Sequence, residues 1–420
     1  MKLFFLVNLL KITFDIAYSF YVVPTWEYLG FISNLSFPYY ILILLTTPLP
    51  FLINNKSNHP SNFFISILLL GILLPLSTLA VFGAIPIIWY FYNLIFFILI
   101  TSIDRLIADY HFKELSIQFL SFHHTLFFLL ITIFLLYIAS YGLSINTDLL
   151  SFDSLLIYGI RDSFNASSIQ GIRAYIFENF SSVILPASVA YAVLFNRYLM
   201  LVCSFFIIIV IFSTDAMKGP LLAPILSGII MLLFKRKVIV NQFDLLKVSF
   251  LSSSILLIVL SLMDNTLFLS ALVYYRTIFL PSMISSFYFD FFQFNDFTYF
   301  SDTGIISFFT GDSYPVDVKK MVASVYLYKN PATNMNVGLV GDGFLKIGLP
   351  GIFITAIVLS IFLKLINQFG KNKNTILIKA MLLYPFFSLI NGSLYSAILT
   401  NGLFLSVILI IFLENYDSQK

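Results

Sequence analysis

Charged side chains lie inside or beside long apolar segments at several points of this sequence. An ionised group in hydrocarbon is costly, so one that persists there is a candidate for function. In "FSTDAMKGPLLAP", residues 212–224, Asp215 and Lys218 separate two apolar segments that are too short to cross the roughly 30 Å of a bilayer core. We expect this turn to dip below the membrane surface, or the bilayer to be thinner there. Lys218, beside the free N–H groups of a helix start, could then bind an anion; alternatively, Asp215 and Lys218 satisfy each other.

An arginine also stands within an aromatic stretch at residues 264–297. Arg276 follows Tyr275 there, and the many Phe, Tyr and Leu residues predict helices on or within the membrane interface, broken at Pro281. An arginine on such a surface pairs with an acid, for example Asp290 or Asp296, or with a bound phosphate. Both interpretations remain open from the sequence.

A second pair of charges marks the entry into an apolar segment further upstream. Arg173 and Glu178 lie in "GIRAYIFENFSSVILP", residues 171–186. Charges at such a position could have a chemical role. The competing interpretation is that both are interfacial charges with no chemical role.

The stretch "GLVGDGFLKIGLPG", residues 338–351, places five glycines around Asp342 and Lys346. It does not fit a nucleotide-binding loop, because no strand precedes it and no Gly-Lys-Ser/Thr or Rossmann pattern surrounds it. We interpret it as the return of a long connection into the membrane. Asp342 and Lys346 either brace each other or face a bound phosphate group.

Lys11 and Asp15 interrupt the first apolar segment four positions apart, and this spacing favours a structural ion pair on one helical face. Cys203 is the single cysteine, and the four histidines (His59, His111, His123 and His124) lack metal-site spacing. We therefore expect no metal and no cofactor.

Composition places these residues in a membrane protein. The chain of 420 residues is 60% hydrophobic and 10% charged, with a mean hydropathy of +0.97, whereas soluble domains carry about 25% charged residues. Apolar runs of about 20 residues recur from end to end and predict an all-α polytopic protein, a single integral membrane domain over residues 1–420. The twelve predicted spans are 3–22, 36–53, 63–82, 85–103, 122–142, 176–195, 198–213, 219–234, 248–263, 349–366, 376–392 and 395–413.

Two long connections separate these spans, at 143–175 and, between spans 9 and 10, at 264–348. Most Lys and Arg residues near span ends fall on one side when the N-terminus is placed in the cytoplasm. The positive-inside rule thus predicts cytoplasmic termini and two external loops. No internal repeat is visible, which disfavours the repeat-built transporters.

The whole pattern resembles the O-antigen polymerase (Wzy) family of bacterial repeat-unit polymerases. The stretch "YYRTIFLPSMISSFYFDFF" at 274–292 is similar to the Arg-aromatic-Pro signature of the family's large periplasmic loop. "GLVGDGFLKIGLPGIFI" at 338–354 is similar to its Gly-acid-aromatic-Gly passage into the next span. "STDAMKGPLLAPIL" at 213–226 is similar to its polar turn followed by a basic residue, and "YVVPTWEYLGF" at 21–31 also fits.

The resemblance implies a glycosyltransferase of the bacterial inner membrane. Such an enzyme transfers the growing polysaccharide from undecaprenyl diphosphate onto the next lipid-linked repeat unit at the periplasmic face, without nucleic acid. It implies a chain-length-regulating co-polymerase as a partner. Under this hypothesis the substrate-binding residues are Arg173, Lys218, Arg276, Asp342, Lys346 and Tyr275. The candidate bases for the acceptor hydroxyl are Asp215, Glu178 and Asp290.

The main alternatives are an O-antigen ligase, which is a related enzyme, and a lipid-linked oligosaccharide flippase, which is not an enzyme of this kind. Composition alone also leaves a non-enzymatic channel or scaffold open. O-antigen ligases use a periplasmic histidine, and all four histidines here are predicted on the cytoplasmic side or in the adjoining span. Lipid-linked oligosaccharide flippases have about twelve spans but short connections, unlike the long aromatic connection at 264–348. The polymerase therefore fits the sequence better than either.

Overall fold

Helices form the regular structure in the computed structural model of this protein. It describes residues 1–54, 59–106, 121–143, 157, 159–161, 163–164, 172–239, 241–263, 266–303, 311, 314–327 and 334–414. The smaller predicted connection, 143–175, lies mostly outside the described residues. Among the described residues no strand is present, as the apolar periodicity predicted.

Eleven helices in the described part of the chain are long and apolar enough to cross a membrane. They are α1 (Lys2–Leu29), α2 (Phe37–Asn54), α3 (Pro60–Val81), α5 (Phe122–Tyr141), α6 (Arg173–Phe195), α7 (Tyr198–Asp215), α8 (Lys218–Lys235), α9 (Gln242–Leu262), α10 (Leu267–Phe292), α13 (Leu349–Phe369) and α16 (Leu394–Phe412). The remaining helices are α4 (Ile87–Leu106), α11 (Val318–Tyr326), α12 (Leu339–Ile347), α14 (Thr375–Met381) and α15 (Leu383–Ser388). The protein is a multi-pass membrane protein.

This set of helices differs from the twelve predicted spans at three places. The apolar part of α4, Ile87–Ile103, is shorter than the other eleven. The predicted span 376–392 divides between the short helices α14 and α15. Within the predicted large loop, α10 is a 26-residue helix of the length and composition of a span.

Proline does not break α10 as the sequence predicted. A π-helical segment, Ala271–Phe279, directly precedes Leu280 and Pro281, and the helix continues through them to Phe292. The proline ring clashes with the carbonyl of an α-helical turn, and the wider π turn relieves this clash. Helices α1, α3 and α6 show the same arrangement, with π segments Tyr18–Val22, Leu69–Leu73 and Phe180–Ile184 directly before a residue and a proline.

The chain divides into two compact units. Unit 1 comprises Met1–Asp109, Val240–Lys364 and Leu389–Tyr395, and unit 2 comprises Tyr110–Ile239, Leu365–Ser388 and Ser396–Lys420. Within unit 1, α1 packs against α9, α2 and α3, while α10 packs against α12. Within unit 2, α6 packs against α5, α7, α8 and α14.

The predicted ion pair of α1 is confirmed in the core of unit 1. Lys11 Nζ donates to Asp15 Oδ1 at 2.9 Å and Oδ2 at 2.7 Å, and both residues are buried. Thr78 of α3 donates its hydroxyl hydrogen to Asp15 Oδ1 at 2.7 Å, and the Lys11 ammonium lies 4.7 Å from the centre of the Tyr40 ring of α2. This satisfied network links three helices, in keeping with a structural role.

Candidate functional site

The glycine-rich stretch of the sequence folds into α12, a short helix buried in unit 1. It starts after Gly338 and ends before Gly348, which both adopt positive φ angles, 74° and 70°. Asp342 and Lys346 lie one turn apart on this helix and are each 1% exposed. Lys346 Nζ donates to Asp342 Oδ1 at 2.7 Å. Of the two interpretations of this pair, the structure shows the one in which the residues brace each other.

Close contact between backbones buries α12. A methyl group added at Gly351, in the first turn of α13, would lie 1.9 Å from the carbonyl oxygen of Gly343. One added at Gly343 would lie 2.7 Å from Thr355 Oγ1. Only residues without a Cβ allow α12 and α13 to approach this closely, so these two glycines determine where Asp342 and Lys346 lie.

A second carboxylate completes what we call the charge cluster: Asp342, Lys346 and Asp302. Lys346 Nζ lies 3.1 Å from Asp302 Oδ2, and Thr298 donates its hydroxyl hydrogen to Asp302 Oδ1 at 2.8 Å. The other oxygen of the buried carboxylate, Asp342 Oδ2, accepts a hydrogen bond from the Leu394 N–H at 3.3 Å. The Asp302 side chain is 20% exposed, so the cluster reaches the surface through this residue.

The segment that carries Asp302 is held directly on α12. Thr298 N–H donates to the Leu345 carbonyl at 3.0 Å, and Tyr299 N–H donates to the Lys346 carbonyl at 2.9 Å. Tyr299 and Phe300 both have left-handed backbones, with φ of 49° and 68°. Such strain costs about 1–3 kcal/mol per residue and persists where the surroundings enforce it, often at functional sites.

Two aromatic rings also lie close to the ammonium group of Lys346. The Lys346 ammonium lies 4.9 Å from the centre of the Tyr395 ring and 5.8 Å from that of Phe300, within the range of cation–π attraction. Burial alone would lower the pKa of Lys346, but the charges of Asp342 and Asp302 outweigh burial and raise this pKa above its ordinary value. The ammonium is therefore protonated, and its charge is already shared by two carboxylates.

The other predicted residues of unit 1 lie on α10. The Tyr275 ring stacks on Trp26 at 4.3 Å with an interplanar angle of 2°. Arg276 is exposed, and within the described part of the chain no ion pair joins it to Asp290. Asp290 is half-buried, on the same helix as Phe287, whose ring stacks on Tyr326 at 4.6 Å. Asp296 is not joined to Arg276 by an ion pair among the described residues either, and phosphate binding by Arg276 stays a prediction.

In unit 2, Asp215 ends α7 and is buried. It accepts a hydrogen bond from the Met217 N–H at 2.8 Å, and Arg161 donates to the Ala216 carbonyl at 2.9 Å. Lys218 is exposed at the first position of α8 and forms no ion pair with Asp215 among the described residues. The alternative in which Asp215 and Lys218 satisfy each other is therefore wrong, and Lys218 stays a candidate for anion binding.

Arg173 and Glu178, also in unit 2, are both exposed in the first turns of α6. The next residue, Asn179, donates to the Leu399 carbonyl at 2.8 Å and so connects this end of α6 to α16. The position of both charges near a helix end agrees with the interfacial interpretation, and their chemical role stays a prediction.

Sequence reasoning found Asp342 and Lys346 but missed Asp302 and Tyr395. Asp302 is 44 residues from Lys346 in the chain, and no periodicity relates two positions so far apart. The available signal was the acidic start of "SDTG", residues 301–304, in an otherwise aromatic stretch. Among the described residues, no group of three or more His, Cys, Asp or Glu side chains could hold a metal ion.

Comparison of this chain with protein-family models, curated proteins and solved structures gives no match.

Proposed function

We propose that this protein polymerises lipid-linked oligosaccharide repeat units, as the resemblance to the Wzy family implies. In this proposal it is a glycosyltransferase of the bacterial inner membrane, with both termini in the cytoplasm and the connections 143–175 and 264–348 on the periplasmic side. It transfers the growing chain from undecaprenyl diphosphate onto the next undecaprenyl-diphosphate-linked unit. A separate co-polymerase controls the chain length.

The observation that carries the proposal is the charge cluster. Residues 338–354, one of the stretches that resemble the family, contain α12, the helix on which Asp342 and Lys346 are buried. Charges so placed in a membrane protein are costly, which makes them candidates for function. A carboxylate reaches the surface from this cluster, as transfer to a sugar hydroxyl requires of a proton acceptor.

The cations divide into two kinds. Arg276, Arg173 and Lys218 are exposed, and we propose that they bind the lipid diphosphates, where negative charge develops as the carrier departs. Lys346 already faces two carboxylates, which leave one negative charge in excess in the cluster. We therefore propose that Lys346 orients these carboxylates and does not bind phosphate.

Deletion of the gene tests this function through the cell's lipopolysaccharide, resolved on a gel. Loss of a polymerase leaves lipid A-core bearing a single repeat unit, because flipping and ligation continue. Loss of a flippase or a ligase leaves core without any repeat unit, and that result would contradict the proposal. Expression of the intact gene from a plasmid is the control and should restore the ladder of long chains.

A further inference from the structure

Asp302 is the member of the charge cluster that a substrate can reach. Its side chain is 20% exposed, whereas those of Asp342 and Lys346 are 1% exposed. Each of its oxygens accepts one hydrogen bond from the protein, Oδ1 from the Thr298 hydroxyl and Oδ2 from Lys346 Nζ. A carboxylate has about four acceptor positions in total, so Asp302 keeps acceptor capacity for an incoming hydroxyl group.

The cluster can take up a proton at Asp302 without leaving a buried charge unpaired. With Asp302 ionised, two carboxylates face one ammonium. With Asp302 protonated, the buried pair of Asp342 and Lys346 remains at 2.7 Å and is neutral as a pair. Protonation of Asp342 would instead require a proton to reach a carboxylate that is shut off from solvent. The arrangement thus makes Asp302 the proton-accepting group and Asp342 the counterion of Lys346.

We propose that Asp302 is the general base of the transfer reaction, which makes this inference depend on the proposed function. Asp302 takes the proton of the acceptor sugar's hydroxyl group, and the hydroxyl oxygen forms a bond to the anomeric carbon of the donor sugar. The bond between that carbon and the diphosphate oxygen breaks, and its electron pair leaves with undecaprenyl diphosphate.

The surroundings of Asp302 suit a sugar. Tyr299, three residues before Asp302 in the chain, is exposed. The ring centres of Phe300 and Tyr395 lie 6.0 Å apart, next to the Lys346 ammonium. Aromatic walls with a few placed polar groups are typical of small-molecule sites. The positive φ angles of Tyr299 and Phe300 lie in the turn that leads to Asp302. An excess of one negative charge disfavours a phosphate here and leaves hydroxyl groups as the partners.

Substitution of Asp302 tests the inference in the deletion strain. Asp302→Asn removes the proton acceptor while keeping the shape of the side chain, and general-base catalysis contributes about 10²- to 10⁴-fold. We expect this variant to give core with a single repeat unit, as the deletion does. Asp296→Asn is the matched control, since Asp296 is an exposed acid of the same connection outside the cluster, and its ladder should be normal.

A second measurement separates the base from a structural role. In membrane vesicles that contain their own lipid-linked repeat units, Asp302→Ala should regain part of its polymerisation on addition of sodium formate, a small carboxylate that can enter the vacated space. If Asp302→Ala loses long chains and formate does not restore them, Asp302 has a structural role and the assignment is wrong. If an immunoblot shows that both variants are missing from the membrane, Asp302 is required for folding or insertion, and the assignment is again overturned.

Two further results distinguish a failure of the inference about Asp302 from a failure of the proposed function. A normal ladder from Asp302→Asn, in a background where deletion leaves single units, would overturn the inference and keep the proposed function. If deletion itself leaves core without repeat units, the proposed function fails before Asp302 is considered.

Discussion

At the scale of single residues, the stability of this protein depends on buried charges of opposite sign that compensate each other. Lys346 and Asp342 are each 1% exposed and are joined at 2.7 Å. Burial of an ion pair adds little net stability, but removal of one partner leaves an uncompensated charge and costs about 3–5 kcal/mol. The pair on α12 is therefore a place where a double substitution should be milder than a single one.

Lys346→Met leaves the Asp342 and Asp302 carboxylates facing each other without a cation. We expect a large fall in the thermal unfolding midpoint of the detergent-solubilised protein. Lys346→Met combined with Asp342→Asn should recover most of that loss, because Asp302 can then turn to solvent. Lys320→Met, at an exposed lysine of α11, is the control and should leave the midpoint unchanged. Equal effects of the single and double variants would contradict this view of the pair.

At the scale of helices, two local features determine how the helices of unit 1 run and pack: π-helical segments before prolines, and a contact between two glycines. The π segments let α1, α3 and α10 pass through proline without a break. The contact of Gly343 with Gly351 lets α12 lie directly on the start of α13. The sequence shows the prolines and the glycines, but the proline rule alone predicts a break at Pro281, since it does not foresee a widened turn before it.

Gly351→Ala should force α12 and α13 apart. The new methyl group would lie 1.9 Å from the Gly343 carbonyl oxygen, which belongs to backbone and cannot swing aside. Overpacking of this kind costs about 1–3 kcal/mol or more. We expect a lower unfolding midpoint in detergent and, under the proposed function, loss of long polysaccharide chains in cells.

Gly159→Ala is the control for that substitution, because nothing lies within 4 Å of the added methyl group. Alanine favours a helix over glycine by roughly 0.5–1 kcal/mol, so this variant should be as stable as the wild type or slightly more stable. An unchanged midpoint for Gly351→Ala would show that the two helices can separate at little cost.

At the scale of the whole molecule, the side of the membrane on which residues 293–348 lie depends on α10. At 1.5 Å per residue its 26 residues reach about 39 Å, enough to cross a bilayer core of roughly 30 Å. The proposed topology keeps α10 on the external side within the large connection. A crossing by α10 would place Asp302 on the side opposite to that required by a periplasmic reaction.

Cysteine labelling in intact cells distinguishes these topologies. Cys203 is the single cysteine, so Cys203→Ser provides a background without thiols. In that background a membrane-impermeant maleimide should label Lys320→Cys, in α11, and should not label Lys371→Cys, after α13; both positions are exposed. Permeabilised cells provide the control, in which both variants react. Protection of Lys320→Cys in intact cells would show that α10 crosses the membrane.

The sequence by itself determined the class of this protein and its local pairings. Mean hydropathy is a property of residues that are neighbours in the chain. The apolar runs therefore predicted the long helices without any knowledge of how the helices pack. The pairs Lys11 with Asp15 and Lys346 with Asp342 were predictable for the same reason, since a helix brings residues four apart together.

Only the tertiary structure decided which distant groups meet. Asp302 joins Lys346 across 44 residues because residues 298–299 bond to the end of α12, and Tyr395 reaches the same ammonium from another helix. The predicted residues also divide between two units, with Arg276, Asp290 and the charge cluster in one and Asp215 and Lys218 in the other. Such groupings depend on how helix surfaces fit, and this fit is a property of the packed chain that no local pattern records.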